Sequence, residues 1–259
     1  MRKSLPSEKY MRSRLAADTV FNFLVYDTVD STNLEAKRYC QSGERLPAIF
    51  IARGQTGGRG RLGRSFDSMR DKGLYLTFAF VPEAGASPHS LTLTAGCAAL
   101  LAIEELCGIT PDIKWVNDLQ IRGKKIAGIL AEGAFDASGN MSYAIVGIGI
   151  NIKKRRFPKE LSDKVGTLEE SANFLPDINE LAAEIINRFF SLYGDLDTTL
   201  NLYRTHLSTL GKRVAVKSGD GEYLAMAREL DGEGNLIVER EDGTLEKLFF
   251  GEISVITQE

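Results

Sequence analysis

Five glycines and three arginines crowd into eleven residues, Gly54-Gln55-Thr56-Gly57-Gly58-Arg59-Gly60-Arg61-Leu62-Gly63-Arg64. This run separates two short apolar segments, Ala48–Ala52 (AIFIA) and Leu74–Val81 (LYLTFAFV), both of which read as buried strands. The chain is thus constrained to a sheet interrupted by a glycine- and arginine-rich loop. Glycine tolerates positive φ and lets backbone N–H groups approach a ligand, making an anion-binding nest. Arginine adds a fixed charge on a planar fork that matches carboxylate or phosphate. The segment has neither the Lys-Ser/Thr pair of a Walker loop nor the spacing of a dinucleotide fingerprint. Taken alone it reads either as a loop that closes over an anion or as a solvated surface loop of the kind found in disordered RNA-binding segments.

Around that loop the pattern is mixed. Phe21–Asp27 (FNFLVYD) predicts a first strand, and Thr32-Asn33-Leu34-Glu35 fits a capping box opening a helix that runs to about Ser42 and stops at Gly43. Ser87-Pro88 opens a long helix with apolar Leu91, Ala95, Leu101 and Leu106, closed by Gly108. Strands are expected at Asp112–Val116, Lys125–Phe135 and Tyr143–Ile152, and helices at Asp177–Tyr193 and Leu200–Leu207. Sheet with flanking helices makes this an α+β core. From Arg213 onward, turn dipeptides recur about every ten residues: Gly219-Asp220-Gly221, Asp231-Gly232, Gly234-Asn235 and Asp242-Gly243. They mark a small all-β module. The expected division is therefore a polar N-terminal extension at 1–20, a core at 21–209 and the β module at 210–259.

Composition narrows the function classes. A net charge of -3 gives no bulk electrostatic case for binding nucleic acid. No apolar run is seen to approach the roughly 18 residues that cross a bilayer, and the N-terminus has no apolar core or cleavage site of a secretory signal. Cys40, Cys97 and Cys107 lie in apolar helical stretches and read as reduced thiols of a cytoplasmic protein. His89 and His206 have no ligand-spaced partners, so no metal site is expected.

Five motifs follow one another: Asp30-Ser31-Thr32-Asn33, the Gly54–Arg64 run, Lys114-Trp115-Val116-Asn117-Asp118, Gly123-Lys124-Lys125-Ile126-Ala127-Gly128-Ile129, and Gly147-Ile148-Gly149-Ile150-Asn151. Each is weak alone. In this order they resemble the biotin–protein ligases over roughly residues 25–155, and the C-terminal module resembles that family's SH3-like domain. The resemblance implies a mixed-sheet catalytic core of the biotin/lipoate ligase type with a small SH3-like β-barrel. It also implies biotin and ATP with Mg2+ as substrates and a biotin carboxyl carrier protein domain as partner, and it allows a homodimer.

Site roles follow from the same resemblance. Ser31, Thr32, Asn33 and Gln55 would bind biotin's ureido ring, whose donors and carbonyl suit hydroxyls and amides. Gly58, Arg59, Gly60 and Arg61 would hold the biotinyl-adenylate. Lys125 would reach the biotin carboxylate and the α-phosphate, with Arg59 and Asp118 as further catalytic groups, Asp118 helping to deprotonate the incoming lysine. Arg61, Arg64, Lys114, Asn117 and Asn151 would face the nucleotide. Thr32 has a second reading as the helix cap, Asn117-Asp118 as a turn, Trp115 as core, and Lys153-Lys154-Arg155-Arg156 as a solvated loop or a phosphate attractor.

Two features depart from the family's pattern. Val116 stands where a proline is common, and no aromatic platform for adenine can be picked out. The rival readings are a lipoate–protein ligase, a non-catalytic biotin-binding module, and a ligase–repressor. The last needs a DNA-binding helix-turn-helix of about 60 residues before the core, whereas about 20 precede the first strand here, so no DNA partner is expected.

Overall fold

In the computed structural model, residues 6–16, 20–218, 221–249 and 252–256 are described. Helix α1 (Glu8–Arg12) precedes β1 (Asn22–Tyr26), α2 (Thr32–Gln41), β2 (Ala48–Ala52), β3 (Gly73–Phe80) and the long α3 (Pro88–Cys107). Four strands follow: β4 (Asp112–Lys114), β5 (Asp118–Ile121), β6 (Lys124–Phe135) and β7 (Met141–Asn151). Helices α4 (Ile178–Leu192) and α5 (Leu196–His206) lead into β8 (Arg213–Ser218), β9 (Gly221–Leu230), β10 (Leu236–Arg240), β11 (Leu245–Leu248) and β12 (Glu252–Val255). Residues 219–220 of the Gly219-Asp220-Gly221 turn lie outside the described residues.

The seven-stranded sheet runs β1-β2-β3-β7-β6-β5-β4. Only β1 and β2 pair in parallel. Alternation sorts its side chains. Ile49, Ile51, Leu74, Leu76, Phe78, Val146, Ile148 and Ile150 join one large core with α3 and α4. The opposite face carries Ala48, Phe50, Ala79 and Ile145 under α2, whose Ala36 completes a second small cluster. Further along that second face the apolar residues give way to Thr77, Gly147 and Gly149, and there α2 presents only its N-terminus. That uncovered, small-and-polar patch is the floor of the site.

The Ser87 cap and the left-handed Gly108 bound α3 as expected. Contrary to the sequence reading, α3 is long and apolar enough to cross a bilayer by length and composition. It is the core helix, buried without interruption from Leu91 to Leu100. The polar segment 1–20 is also more than an extension: Met11 of α1 is fully buried, and Ser7 N–H donates to Asn179 of α4 at 2.6 Å. Cys97 and Cys107 are buried and Cys40 is half-buried, all as free thiols that burial pushes up to about 12, 11 and 11 respectively.

The C-terminal module is a five-stranded antiparallel sheet, β11-β10-β9-β8-β12. Among the described residues no pairing closes β11 on β12. The module is tied to the core at the turn before β10. Trp115 Nε1 donates to the Gly234 carbonyl at 3.2 Å, and Arg204 donates to the Asp231 carbonyl at 3.1 Å.

Candidate active site

The N-terminus of α2, the loop between β2 and β3, and the uncovered face of β6 and β7 enclose an inner cavity. Ser31, Thr32, Asn33, Gln55, Arg59, Gly60, Arg61, Arg64, Lys114, Asn117, Asp118 and Lys125 all line it. With Gly147 and Gly149 of the fifth motif also in its lining, motifs separated by up to 118 residues in sequence (Ser31 to Gly149) meet in one place. Trp115 also borders the cavity, but its side chain is buried and committed to Gly234. The Trp115–Val116 peptide bond is cis.

The amide end of the cavity is a continuous hydrogen-bonded chain. Gln55 Nε2 donates to Ser68 Oγ at 2.7 Å, while Gln55 Oε1 accepts from Thr32 N–H at 2.7 Å and from its hydroxyl at 3.1 Å. The Thr77 hydroxyl lies 2.8 Å from Thr32 Oγ1 and 2.7 Å from Asn33 Oδ1. Asn33 Nδ2 donates to Glu132 at 3.0 Å, and Glu132 faces the Arg59 guanidinium at 3.9 Å. Thr32 is the first residue of α2, with its hydroxyl turned to Gln55 and Thr77, so it is not the cap. The expected capping box is absent. Ser31 is the N-cap residue, without a side-chain cap bond, and Glu35 turns instead to Tyr26 and Arg38.

Two glycines make the floor possible. A Cβ on Gly147 would overlap Asn33 Oδ1, and one on Gly149 would come within 2.6 Å of the Phe66 ring. Phe66 stands two residues after the glycine–arginine run, and its ring lies over the β6–β7 floor at Gly128 and Gly149. The loop itself is a small hairpin: Phe66 N–H donates to the Gly58 carbonyl at 2.8 Å, and Gly60 N–H to the Arg64 carbonyl at 2.8 Å. At its tip Leu62 is exposed with φ of 54°. Gly58 does not line the cavity. It is buried behind the loop, where a Cβ would overlap Phe66 O and Ser68 Oγ, so it packs the hairpin against its own base.

The charged end holds Lys125, whose Nζ lies 2.6 Å from Asp118 Oδ1. Plain alternation from Gly128 would aim Lys124 at the cavity. The β5–β6 register shifts opposite Ile126, pairing Leu119 with Ala127 but Gln120 with Lys125. One extra residue inverts the alternation. Lys125 therefore joins the face of Gly128, while Lys124 is exposed and donates to the Ser162 carbonyl at 3.3 Å. Asn117 clasps Arg61 at 3.2 Å on one side and donates to the Ile129 carbonyl at 3.1 Å on the other. Burial pushes the phenol of Tyr75, which also lines the cavity, well above its ordinary range, with the Arg155 charge opposing.

Beyond Lys125 lies an outer cavity, sharing Arg64, Ser65, Phe66, Lys114, Asp118, Lys125 and Ser254 with the inner one. Asn151 lines this cavity and not the inner one. Six cations (Arg64, Lys114, Lys125, Arg155, Lys164, Lys212) face four carboxylates (Asp67, Asp112, Asp118, Asp163), an excess of two positive charges. Its far wall is Lys212, Ser254 and Val255 from the C-terminal module. Sequence reasoning missed Ser68, Thr77, Glu132, Arg155 and this wall. Thr77 and Glu132 carried a signal, a lone hydroxyl and a lone carboxylate inside apolar strands. The solvated-loop reading of Lys153–Arg156 fails for Arg155, whose side chain is 2% exposed.

With this geometry established, comparisons with known proteins are informative. Residues 25–151 match the model of the biotin/lipoate A/B protein ligase family, and residues 209–255 match that of the biotin protein ligase C terminal domain. The bifunctional ligase/repressor BirA of Bacillus subtilis is 30% identical over 96% of this chain and 79% of its own length. A biotin–[acetyl-CoA-carboxylase] ligase of Mycobacterium tuberculosis is 29% identical over 81% of this chain and 80% of its own. Among solved structures, a biotin protein ligase from Aquifex aeolicus in complex with biotin and ATP superposes with a TM-score of 0.75 at 27% identity, covering 92% of this chain and 99% of that one. A cavity built from five ordered motifs, a matching fold and two adjoining family models lead to one assignment: the chain belongs to the biotin/lipoate A/B protein ligase family, among its biotin protein ligases.

Proposed function

We infer that the chain activates biotin with ATP to biotinyl-5′-AMP and transfers biotin to a lysine of a biotin carboxyl carrier domain. The observation that carries the reading is the place of Lys125: it stands between the amide end of the inner cavity, around Thr32, Asn33 and Gln55, and the outer cavity with its excess of positive charge. An uncharged ureido ring suits the first and a triphosphate the second, so the carboxylate and the α-phosphate would meet beside the ammonium. We propose that Mg2+ arrives as part of the ATP complex. Phe157 supplies an aromatic face in the outer cavity for adenine, the platform the sequence did not reveal.

In the first step a biotin carboxylate oxygen attacks the α-phosphorus, the bond to the bridging oxygen breaks, and pyrophosphate leaves. Lys125 and Arg61 offset the charge that gathers there. For this Lys125 turns from Asp118 toward the new acyl phosphate, and Asp118 is released as a carboxylate beside the acyl carbon. In the second step the acceptor amine attacks that carbon, Asp118 takes the amine proton, and AMP leaves with the bonding pair. The anhydride also hydrolyses, so the glycine–arginine hairpin has to exclude water until the acceptor arrives. Residues 21–209 carry this chemistry, and the module at 210–259 adds Lys212, Ser254 and Val255 to the wall of the outer cavity.

The repressor half of the BirA name is not carried over, since a chain of net charge -3 has no bulk attraction for DNA. The homodimer and a cytoplasmic setting for the free thiols complete the proposal, the former checked by sedimentation with and without biotinyl-AMP. The deciding experiment incubates the protein with labelled biotin, Mg-ATP and a carrier domain, with lipoate in parallel. One biotinyl addition on the carrier, with AMP and pyrophosphate formed, is expected. Absence of labelling, or preference for lipoate, defeats the reading.

A further inference from the structure

Of the four basic residues at 153–156, Arg155 is unlike its neighbours: Lys154 and Arg156 are exposed, whereas its side chain is 2% exposed. A buried guanidinium needs partners on all sides. Arg155 Nη1 pairs with the Asp67 carboxylate, and Nη2 donates to the Asp67 carbonyl at 2.9 Å and to Asn151 Oδ1 at 3.3 Å. The centre of the fork sits 4.2 Å from the centroid of the Phe157 ring. Its Nε is buried without an acceptor among the described residues. One side chain therefore touches three parts of the outer cavity. These are the stem of the glycine–arginine hairpin at Asp67, the end of β7 at Asn151, and the aromatic wall at Phe157.

We propose that Arg155 is a positioning residue that clasps the hairpin to the nucleotide side of the site, so that Phe157 and the arginines of the hairpin are set together. This rests on the biotin-ligase reading above. Asp67 lies next to Phe66, whose ring covers the β6–β7 floor, so a pull on Asp67 is transmitted to the cover over both cavities. The fork matters as much as the charge. A lysine could hold Asp67 but could not also reach Asn151 and stack on Phe157. The inner amide chain from Gln55 to Glu132 does not contact Arg155, so biotin binding should be insulated from the clasp.

The test uses the full chain with four variants. Asp67→Asn removes the charge from the more exposed partner while leaving an amide oxygen for the buried arginine, and urea unfolding of each variant checks that the fold is kept. Arg155→Lys keeps charge without the fork. The double variant closes a cycle, and Arg156→Ala is the exposed control. Biotin affinity is read by calorimetry, KM for ATP and kcat by pyrophosphate release, and adenylate leakage by biotinylation of a bystander protein. Both single variants should raise the KM for ATP about tenfold, the size expected for one lost charge-assisted bond. They should also increase leakage and leave biotin affinity unchanged, and the double should be no worse than either single. Arg156→Ala should match the wild type. Unchanged ATP KM in Asp67→Asn, additive effects in the double, or an equal loss of biotin affinity overturns the clasp. A wild type that makes no biotinyl-AMP overturns the functional reading itself, and the clasp with it.

Discussion

Lys124 and Lys125 have the same chemistry and opposite surroundings, one exposed against the Ser162 carbonyl and the other facing Asp118 at 2.6 Å inside the cavity. Lys125→Ala should lower adenylate formation on the order of 100–1000-fold, about 3–4 kcal/mol, the cost of removing one preorganised group that stabilises developing charge. Lys124→Ala should stay near wild type. Pyrophosphate release at saturating biotin and ATP separates them, and a crippled Lys124 variant would show the register of β6 to be misread. At the amide end the sensitive position has no side chain at all. Gly147→Ala would push a methyl group into Asn33 Oδ1 and unseat the amide from Thr77 and Glu132. A weakening of biotin binding by about tenfold or more, with ATP binding retained, is expected from breaking such a buried network. Calorimetry that finds unchanged biotin affinity would remove Asn33 from the site.

Among the elements, the hairpin of Gly58–Phe66 carries the next prediction. Arg61 links its tip to Asn117, and through Asn117 to the β6 backbone at Ile129. Arg61→Gly should unlatch the tip, release biotinyl-AMP and label bystander lysines indiscriminately; retention equal to wild type in a bystander assay would show that Arg61 guards nothing. How much of this was legible beforehand depended on length and period. AIFIA is flanked on both sides and covered on both faces, so its apolar run gave β2 to the residue. The four-residue β5 follows the Asn117 turn and is too short for any period to register. The α1 helix shows one buried residue, Met11, in a polar stretch. The bulge opposite Ile126 was out of reach, since pairing register belongs to two strands at once. Lys125 nonetheless lines the cavity, a position that the resemblance points to and that alternation from Gly128 misses. Arg155 had no signal, as burial of one residue in a basic run is decided by partners 4 and 88 residues away.

For the whole molecule the two units meet at Gly234, which has a φ of 84° and no room for a Cβ against Leu93 and Leu200. Gly234→Ala should therefore destabilise the docking of the C-terminal module by about 1–3 kcal/mol through combined strain and overpacking. Because that module lines the outer cavity with Lys212, Ser254 and Val255 and adds only Ile253 and Ser254 to the inner one, KM for ATP should rise more than the dissociation constant for biotin. Urea unfolding and substrate titrations of the variant check both statements, and equal losses for the two substrates would contradict the division. That same wall has a consequence in time. A ribosome makes the biotin-facing residues, Ser31 to Gly149, long before it makes Ser254 and Val255. A nascent chain thus carries the whole amide end of the site while the chamber for ATP still has an open side. The side of that chamber formed by Ser254 and Val255 is completed only when β12 has been translated and paired with β8, after every residue of the catalytic core.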